Sequence, residues 1–255
     1  MSINKINTVS WDSILNVRGI PKTNISKVGN ISPPLTGISL NDRTRTQRIA
    51  FSFVNGTSYG WDLPASAIAG DLVLAFLGTD VPFNTSIFGT PSGWTQHFNW
   101  ASTTADNTGQ LFTKVIDSTD VSSGVISIPC IQSATGRDSQ CWTMIGTGID
   151  TTTPVSDVGS VRLGQGNPMT INGITPTADG LAVGFWGFDG GDGEPTTITS
   201  GWTKLEEEDA DPSSAGCTHG FGSINSTSGV STGNLVVTFQ NSDGYGGVIV
   251  NLKAA

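Results

Sequence analysis

Gly70-Asp71-Leu72-Val73-Leu74-Ala75-Phe76-Leu77-Gly78-Thr79-Asp80 returns further along the chain as Asp179-Gly180-Leu181-Ala182-Val183-Gly184-Phe185-Trp186-Gly187-Phe188-Asp189. Ser92-Gly93-Trp94-Thr95 returns as Ser200-Gly201-Trp202-Thr203. Both pairs are offset by about 109 residues, and a fixed offset over separate blocks is the mark of a duplicated structural unit. Leu72 to Leu77 is almost wholly apolar, as a strand buried on both faces requires. Trp94, Gln96, Phe98 and Trp100 alternate with Thr95, His97 and Asn99, the period of a half-buried strand.

Working outward, the same reading gives strands at Ile49–Val54, Tyr59–Leu63, Leu111–Ile116, Gly124–Ile128 and Cys141–Gly146 in the first half. The second half repeats the order at Val158–Leu163, Met169–Asn172, Leu181–Phe188, Trp202–Leu205, Thr218–Ile224, Leu235–Phe239 and Gly247–Leu252. Asn55-Gly56, Asn172-Gly173 and Asp243-Gly244 are turn pairs between them. No helical periodicity is expected in this body. The fold class is all-β: a jelly-roll-like β-sandwich built from two sequence-similar halves, about 48–150 and 156–253. A short join, Asp150-Thr151-Thr152-Thr153-Pro154, favours one compact domain over two tandem sandwiches.

Composition fits. Charged residues are 13% and glycines number 33, the profile of short strands and tight turns. A net charge of −9 argues against a nucleic-acid partner, because phosphate binding needs clustered Lys and Arg. Ser32-Pro33-Pro34-Leu35-Thr36-Gly37 reads as a stiff stretch leading into a linker, residues 36–47, and the basic cluster Arg43, Arg45 and Arg48 is expected as a solvated connector. No apolar run long enough for membrane insertion and no secretion signal is read, so synthesis in a cytoplasm is expected. Cys130 and Cys141 flank Thr135-Gly136 symmetrically. They are expected as buried free thiols, with a bridge across a hairpin as the alternative.

Residues 1–35 differ from the body. Ile3, Ile6 and Val9 form an I-x-x-I-x-x-V unit; Ile14, Val17 and Ile20 repeat it, and Ile25, Val28 and Ile31 repeat it again. Spacing by three suits a helical turn or a segment laid along a partner. Gly19, Pro21 and Gly29 prevent one continuous helix. With no core of its own, this arm must bury its apolar residues elsewhere, and an intermolecular acceptor is expected.

Candidate chemistry is sparse. His97 and His219 fall in no metal or triad pattern. Glu206-Glu207-Glu208-Asp209-Ala210-Asp211 reads as a solvated acidic run. Asp189, Asp192 and Glu194, on a Gly-rich stretch, are the best placed carboxylates for a hard cation, although they lack the full calcium-loop pattern. No cofactor is expected. Trp94 and Trp202 occupy equivalent points and are expected in the core. Trp61 and Trp100 have no counterpart in the other half and are the candidates for stacking on sugar rings.

Trp11-Asp12-Ser13-Ile14-Leu15-Asn16-Val17-Arg18-Gly19-Ile20, followed by Thr23-Asn24-Ile25-Ser26-Lys27-Val28, resembles arms at the start of tailed-bacteriophage virion proteins. Ala69-Gly70-Asp71-Leu72-Val73-Leu74-Ala75-Phe76 and Pro91-Ser92-Gly93-Trp94-Thr95 resemble β-sandwich domains of phage tail, fibre and capsid-surface proteins. The resemblance implies a non-enzymatic structural or adhesion role in a virion, with other virion proteins and further copies of the chain as partners, a trimer among the options. It transfers no functional residue. The alternatives are a carbohydrate-binding module that recognises a host-surface glycan, and a cell-wall glycan hydrolase.

Overall fold

The computed structural model describes residues 16–17, 20–21, 37–51, 59–79, 92–101, 107–128, 137–189, 197–209, 217–239 and 243–255. In the arm, β1 (Asn16–Val17) pairs antiparallel with β2 (Ile20–Pro21). The first half of the body comprises β3 (Ser39–Phe51), β4 (Tyr59–Asp62), β5 (Leu72–Thr79), β6 (Thr95–Ala101), β7 (Thr108–Val115), α1 (Ser118–Ser123), β8 (Val125–Ile128) and β9 (Arg137–Thr147). The second comprises β10 (Val155–Val158), β11 (Arg162–Gly166), β12 (Met169–Ile171), β13 (Gly180–Asp189), β14 (Thr197–Ile198), β15 (Thr203–Asp209), β16 (Cys217–Ser226), β17 (Leu235–Thr238) and β18 (Asp243–Lys253).

The body is an all-β sandwich of antiparallel sheets. The large sheet of the first half is ordered β3-β9-β5-β7-β6, and that of the second β10-β18-β13-β16-β15, with β11 also on β18. The small sheets are β4-β8 and β12-β17-β14. Strand for strand, β9 corresponds to β18, β5 to β13, β7 to β16, β6 to β15, β4 to β12 and β8 to β17. Irregularities correspond as well. The pairing slips between Gln96 and Phe98 on β6, and between Lys204 and Glu206 on β15. Gly93 and Gly201, each ahead of its tryptophan, take positive φ of 83° and 97°, a conformation cheap only for glycine.

Three cores result. Val73, Ala75, Leu77, Phe112 and Ile145 of the first large sheet pack on Trp61, Ile126 and Ile128 of its small sheet. Ala182, Trp186, Phe188 and Ile249 pack likewise on Met169, Ile171, Leu235 and Val237. The opposite faces of the two large sheets meet in a third core: Leu72, Leu74, Phe76, Leu111, Trp142 and Met144 against Val183, Phe185, Phe221, Val248 and Val250. The halves are therefore two sandwiches, each with its own outer core, fused through a shared seam. This is why β5 is buried along its whole length: odd residues face outward and even residues face the seam.

Several expectations are corrected. Residues 39–51, whose first part was expected in a linker, form β3, so Arg43, Arg45 and Arg48 lie on an edge strand paired with β9. An edge strand needs only one partner for its backbone and can leave polar side chains in solvent. A helix, α1, interrupts the body. The Asp117 side chain accepts from the Thr119 and Asp120 amides, Asp120 reciprocates to the Asp117 amide, and Gly124 closes the helix in the left-handed region. β8 pairs with β4 and β9 with β5, so the strands flanking Cys130 and Cys141 belong to different sheets and form no hairpin. Cys141 is a free, buried thiol, and Cys130 lies outside the described residues.

Two bulky side chains cross the seam into spaces kept open by glycine. A Cβ built on Gly246 would lie 2.2 Å from Trp100 Nε1, and one on Gly78 would lie 2.2 Å from the His219 ring. Gly246→Ala and Gly78→Ala are each expected to lower stability by ~1–3 kcal/mol in urea unfolding, because a rigid ring must be displaced. Unchanged midpoints for both variants would contradict this packing.

Candidate functional site

The residues singled out from the sequence do not converge on one place. In the arm, Val17 and Ile20 are cross-strand partners in β1 and β2. Ile3, Ile6, Val9, Trp11, Ile14, Ile25, Val28 and Ile31 lie outside the described residues. Asp189 ends β13, opposite Cys217 of β16, while Asp192 and Glu194 lie outside the described residues. Among the described residues no group of three or more His, Cys, Asp or Glu is placed to hold a metal ion.

The two tryptophans expected to meet sugar are inside the protein. Trp61 is 5% exposed and belongs to the outer core of the first half; Trp100 is 2% exposed and belongs to the seam. Neither offers a free ring face, so the expectation of glycan stacking at these two positions is not met. Trp61 is buried because β4 lays one face over the large sheet. Trp100 is buried because the edge strand β6 lies under the second half, with Phe98 stacked on it at 5.3 Å. Trp94, Trp142, Trp186 and Trp202 are buried too.

The acidic run is likewise structured. Glu206 accepts from Arg43 Nε at 2.6 Å, an ion pair joining β15 of one half to β3 of the other. With both side chains about one-third exposed, such a pair contributes at most ~1 kcal/mol. Glu207 accepts from Trp186 Nε1 at 3.1 Å. Glu206 to Asp209 thus belong to a strand, β15, at the edge of the seam, while Ala210 and Asp211 lie outside the described residues.

Polar groups do converge within the seam. Trp100 Nε1 donates to Asn107 Oδ1 at 2.8 Å. An indole N–H can only donate, so the Asn107 amide is oriented and its Nδ2 faces His219 Nε2, 3.3 Å away. His219 comes from β16 in the second half and Asn107 precedes β7 in the first, so the contact bridges the halves. The imidazole lies between Gly78 and Gly187 and meets Phe76 edge-on at 5.9 Å. Desolvation holds its pKa down to about 4, against a weaker opposing hydrogen bond with the Thr108 backbone. His97, at the slipped position of β6, is held near 4 by burial as well, with Nε2 2.7 Å from Thr113 Oγ1. Burial pushes the Cys141 thiol up to about 12, so it is a poor nucleophile while folded.

A second polar network, buried at Ser226 and Asn251 and reaching the surface at Thr177, links β10, β16, β18 and the segment ahead of β13. Asn251 Nδ2 donates to Ser156 Oγ at 2.8 Å and to the Ala178 carbonyl at 2.9 Å, and Ser226 donates to Asn251 Oδ1. Asp157 receives Ser156 Oγ and the amide and hydroxyl of Thr177. These groups satisfy one another, and the arrangement is that of a brace inside the second half.

Sequence reading missed the Trp100–Asn107–His219 cluster. A signal was present: Gly78 and Gly187 interrupt apolar strands at corresponding points, and glycine inside a strand marks close approach by another group. What approaches cannot be read from spacing, because Asn107 and His219 belong to different halves. No helix among the described residues is long and apolar enough to cross a membrane. Comparison with family models, curated proteins and solved structures finds no match.

Burial of both rings changes what their loss should do. Trp100→Ala and Trp61→Ala are each expected to cost ~3–5 kcal/mol of stability, measured by denaturant unfolding, the usual penalty for emptying a large aromatic site. Wild-type stability in either variant would restore that ring as a surface group.

Proposed function

We propose that this chain is a non-enzymatic structural protein of a virus particle, in which the arm of residues 1–35 docks onto other virion proteins or sister copies and the fused sandwiches are displayed outward. The observation that carries the proposal is where the reactive and recognition-prone side chains sit. Both histidines, Cys141 and the six described tryptophans are committed to packing, bracing or bridging the halves. The apolar repeat of the arm supplies docking area, worth roughly 25 cal/mol per Å² buried. The net charge of −9 keeps crowded copies apart in solution. Location as a tail fibre component or as a capsid decoration fits the same features, and homo-oligomerisation through the arm belongs to the proposal.

The test is the native mass of the full-length protein beside a form beginning at Thr36, which retains β3 whole. The full-length protein is expected to form a defined oligomer, or to bind an assembled particle, while the shortened form is a folded monomer that does neither. Identical mass, identical thermal stability and identical particle binding in the two forms would remove the arm from any docking role. Turnover of a cell-envelope glycan by the purified protein would overturn the non-enzymatic reading directly.

A further inference from the structure

We propose that His219 is an acid-operated latch on the seam between the two halves: protonation of its ring loosens the packing of the large sheets around Trp100 while each outer core stays closed. The argument begins with geometry. His219 is wholly buried, comes from one half, and is seated over Gly78 of the other with no room to swing aside. Its contacts suit a neutral ring. Asn107 presents an N–H to Nε2, and its orientation is fixed by Trp100 donating to the opposite oxygen. A ring carrying protons on both nitrogens meets that donor with a donor. With Nε2 accepting, the neutral ring carries its proton on Nδ1, and the second proton must add at Nε2, against the Asn107 donor. The Thr108 backbone favours the charged ring only weakly against desolvation.

Among the described side chains, little charge compensation faces the ring. The groups facing the ring from β5 and β13 are Phe76, Gly78 and Gly187, none of them titratable. The acidic residue beside it in register is Glu208 of β15, and Glu206, two positions along, is engaged by Arg43. Burial accordingly depresses the ring's pKa to about 4 from 6.5. The sign follows. A closed seam holds the ring neutral, whereas an open seam returns it to its ordinary value. Closure is therefore fully favoured above pH 6.5 and weakens as pH falls toward 4. Over that window opening gains about tenfold per pH unit, roughly 100-fold in all.

The chain carries separate reporters for the separate cores. Met144 lies in the seam, Met169 in the outer core of the second half, and Cys141 in the outer core of the first. The experiment is a pH titration of the full chain with 13C-methyl methionine and a 13C-labelled imidazole, followed by NMR, with Cys141 labelling by a thiol reagent in parallel. Between pH 7 and 4 the Met144 methyl is expected to shift or broaden, with a midpoint matching the titration of His219. Met169 should hold its position and Cys141 should stay protected. His219→Gln, neutral and of similar reach, should abolish the Met144 response; Glu208→Gln should shift the midpoint by less than one pH unit. His97 titrates on β6 and remains in the His219→Gln variant, so any effect of its own persists there. A Met144 signal unchanged to pH 4 overturns the proposal, as does one that changes only together with Met169 and Cys141. If His219→Gln does not fold, the wild type still decides: a Met144 midpoint that departs from the His219 titration also overturns it.

Discussion

The interaction on which the rest of this structure depends is the reciprocal insertion of two rings across the seam. Trp100 leaves the first half and sits where Gly246 of the second provides space; His219 leaves the second half and sits over Gly78 of the first. Asn107 hydrogen-bonds the indole and contacts the imidazole, so the two insertions are not independent. Around them Phe76 and Phe185 meet at 4.7 Å, and Trp142 meets Phe221 edge-on at 5.7 Å. Close packing of this kind resists even one added methyl group, because a dense interior has nowhere to move it.

That seam explains a feature a single sandwich would not have. In a two-layer β protein each strand shows one face to the core and one to water. Here the central strands of the large sheets, such as β5, are interior with apolar residues on both faces, while outer strands such as β6 and β11 still expose part of their residues. Alternation survives in another form: along β5, Val73, Ala75 and Leu77 serve the outer core while Leu72, Leu74 and Phe76 serve the seam. At the edge of the seam the charged residues that interrupt β3 and β15 find a use, since Arg43 and Glu206 join the halves where apolar packing ends.

The all-β class was legible from the alternation of Trp94 to Trp100, and the two-faced burial of β5 from its unbroken apolar run, although Asp243-Gly244, expected as a turn, opens β18. The likeness of the halves pointed to corresponding strands, and Trp94 and Trp202 do lie buried after equivalent glycines. Other features were not legible, for physical reasons. Residues 39–48 look like a linker because an edge strand with solvent on one side carries polar side chains at little cost. α1 is too short for a helical period, and only the Asp117-x-x-Asp120 spacing with Gly124 behind it betrays the cap. Trp61 and Trp100 read as exposed because their neighbours in sequence are polar; their neighbours in space come from other strands and, for Trp100, from the other half. Asn107 and His219 acquire their roles only once the halves are stacked. The arm and the Gly-rich segment holding Asp192 and Glu194 lie largely outside the described residues.

The central claim is that the halves are complete sandwiches that need each other's large sheet. The most direct measurement is to make residues 1–151 and 152–255 as separate chains, mix them at pH 7, and determine mass and dye-accessible apolar surface before and after mixing. Each chain alone is expected to expose its seam face and bind a hydrophobic dye, and the mixture to form a 1:1 complex in which dye binding is lost. Two chains that stay folded, monomeric and dye-free, and that ignore each other on mixing, would contradict the account.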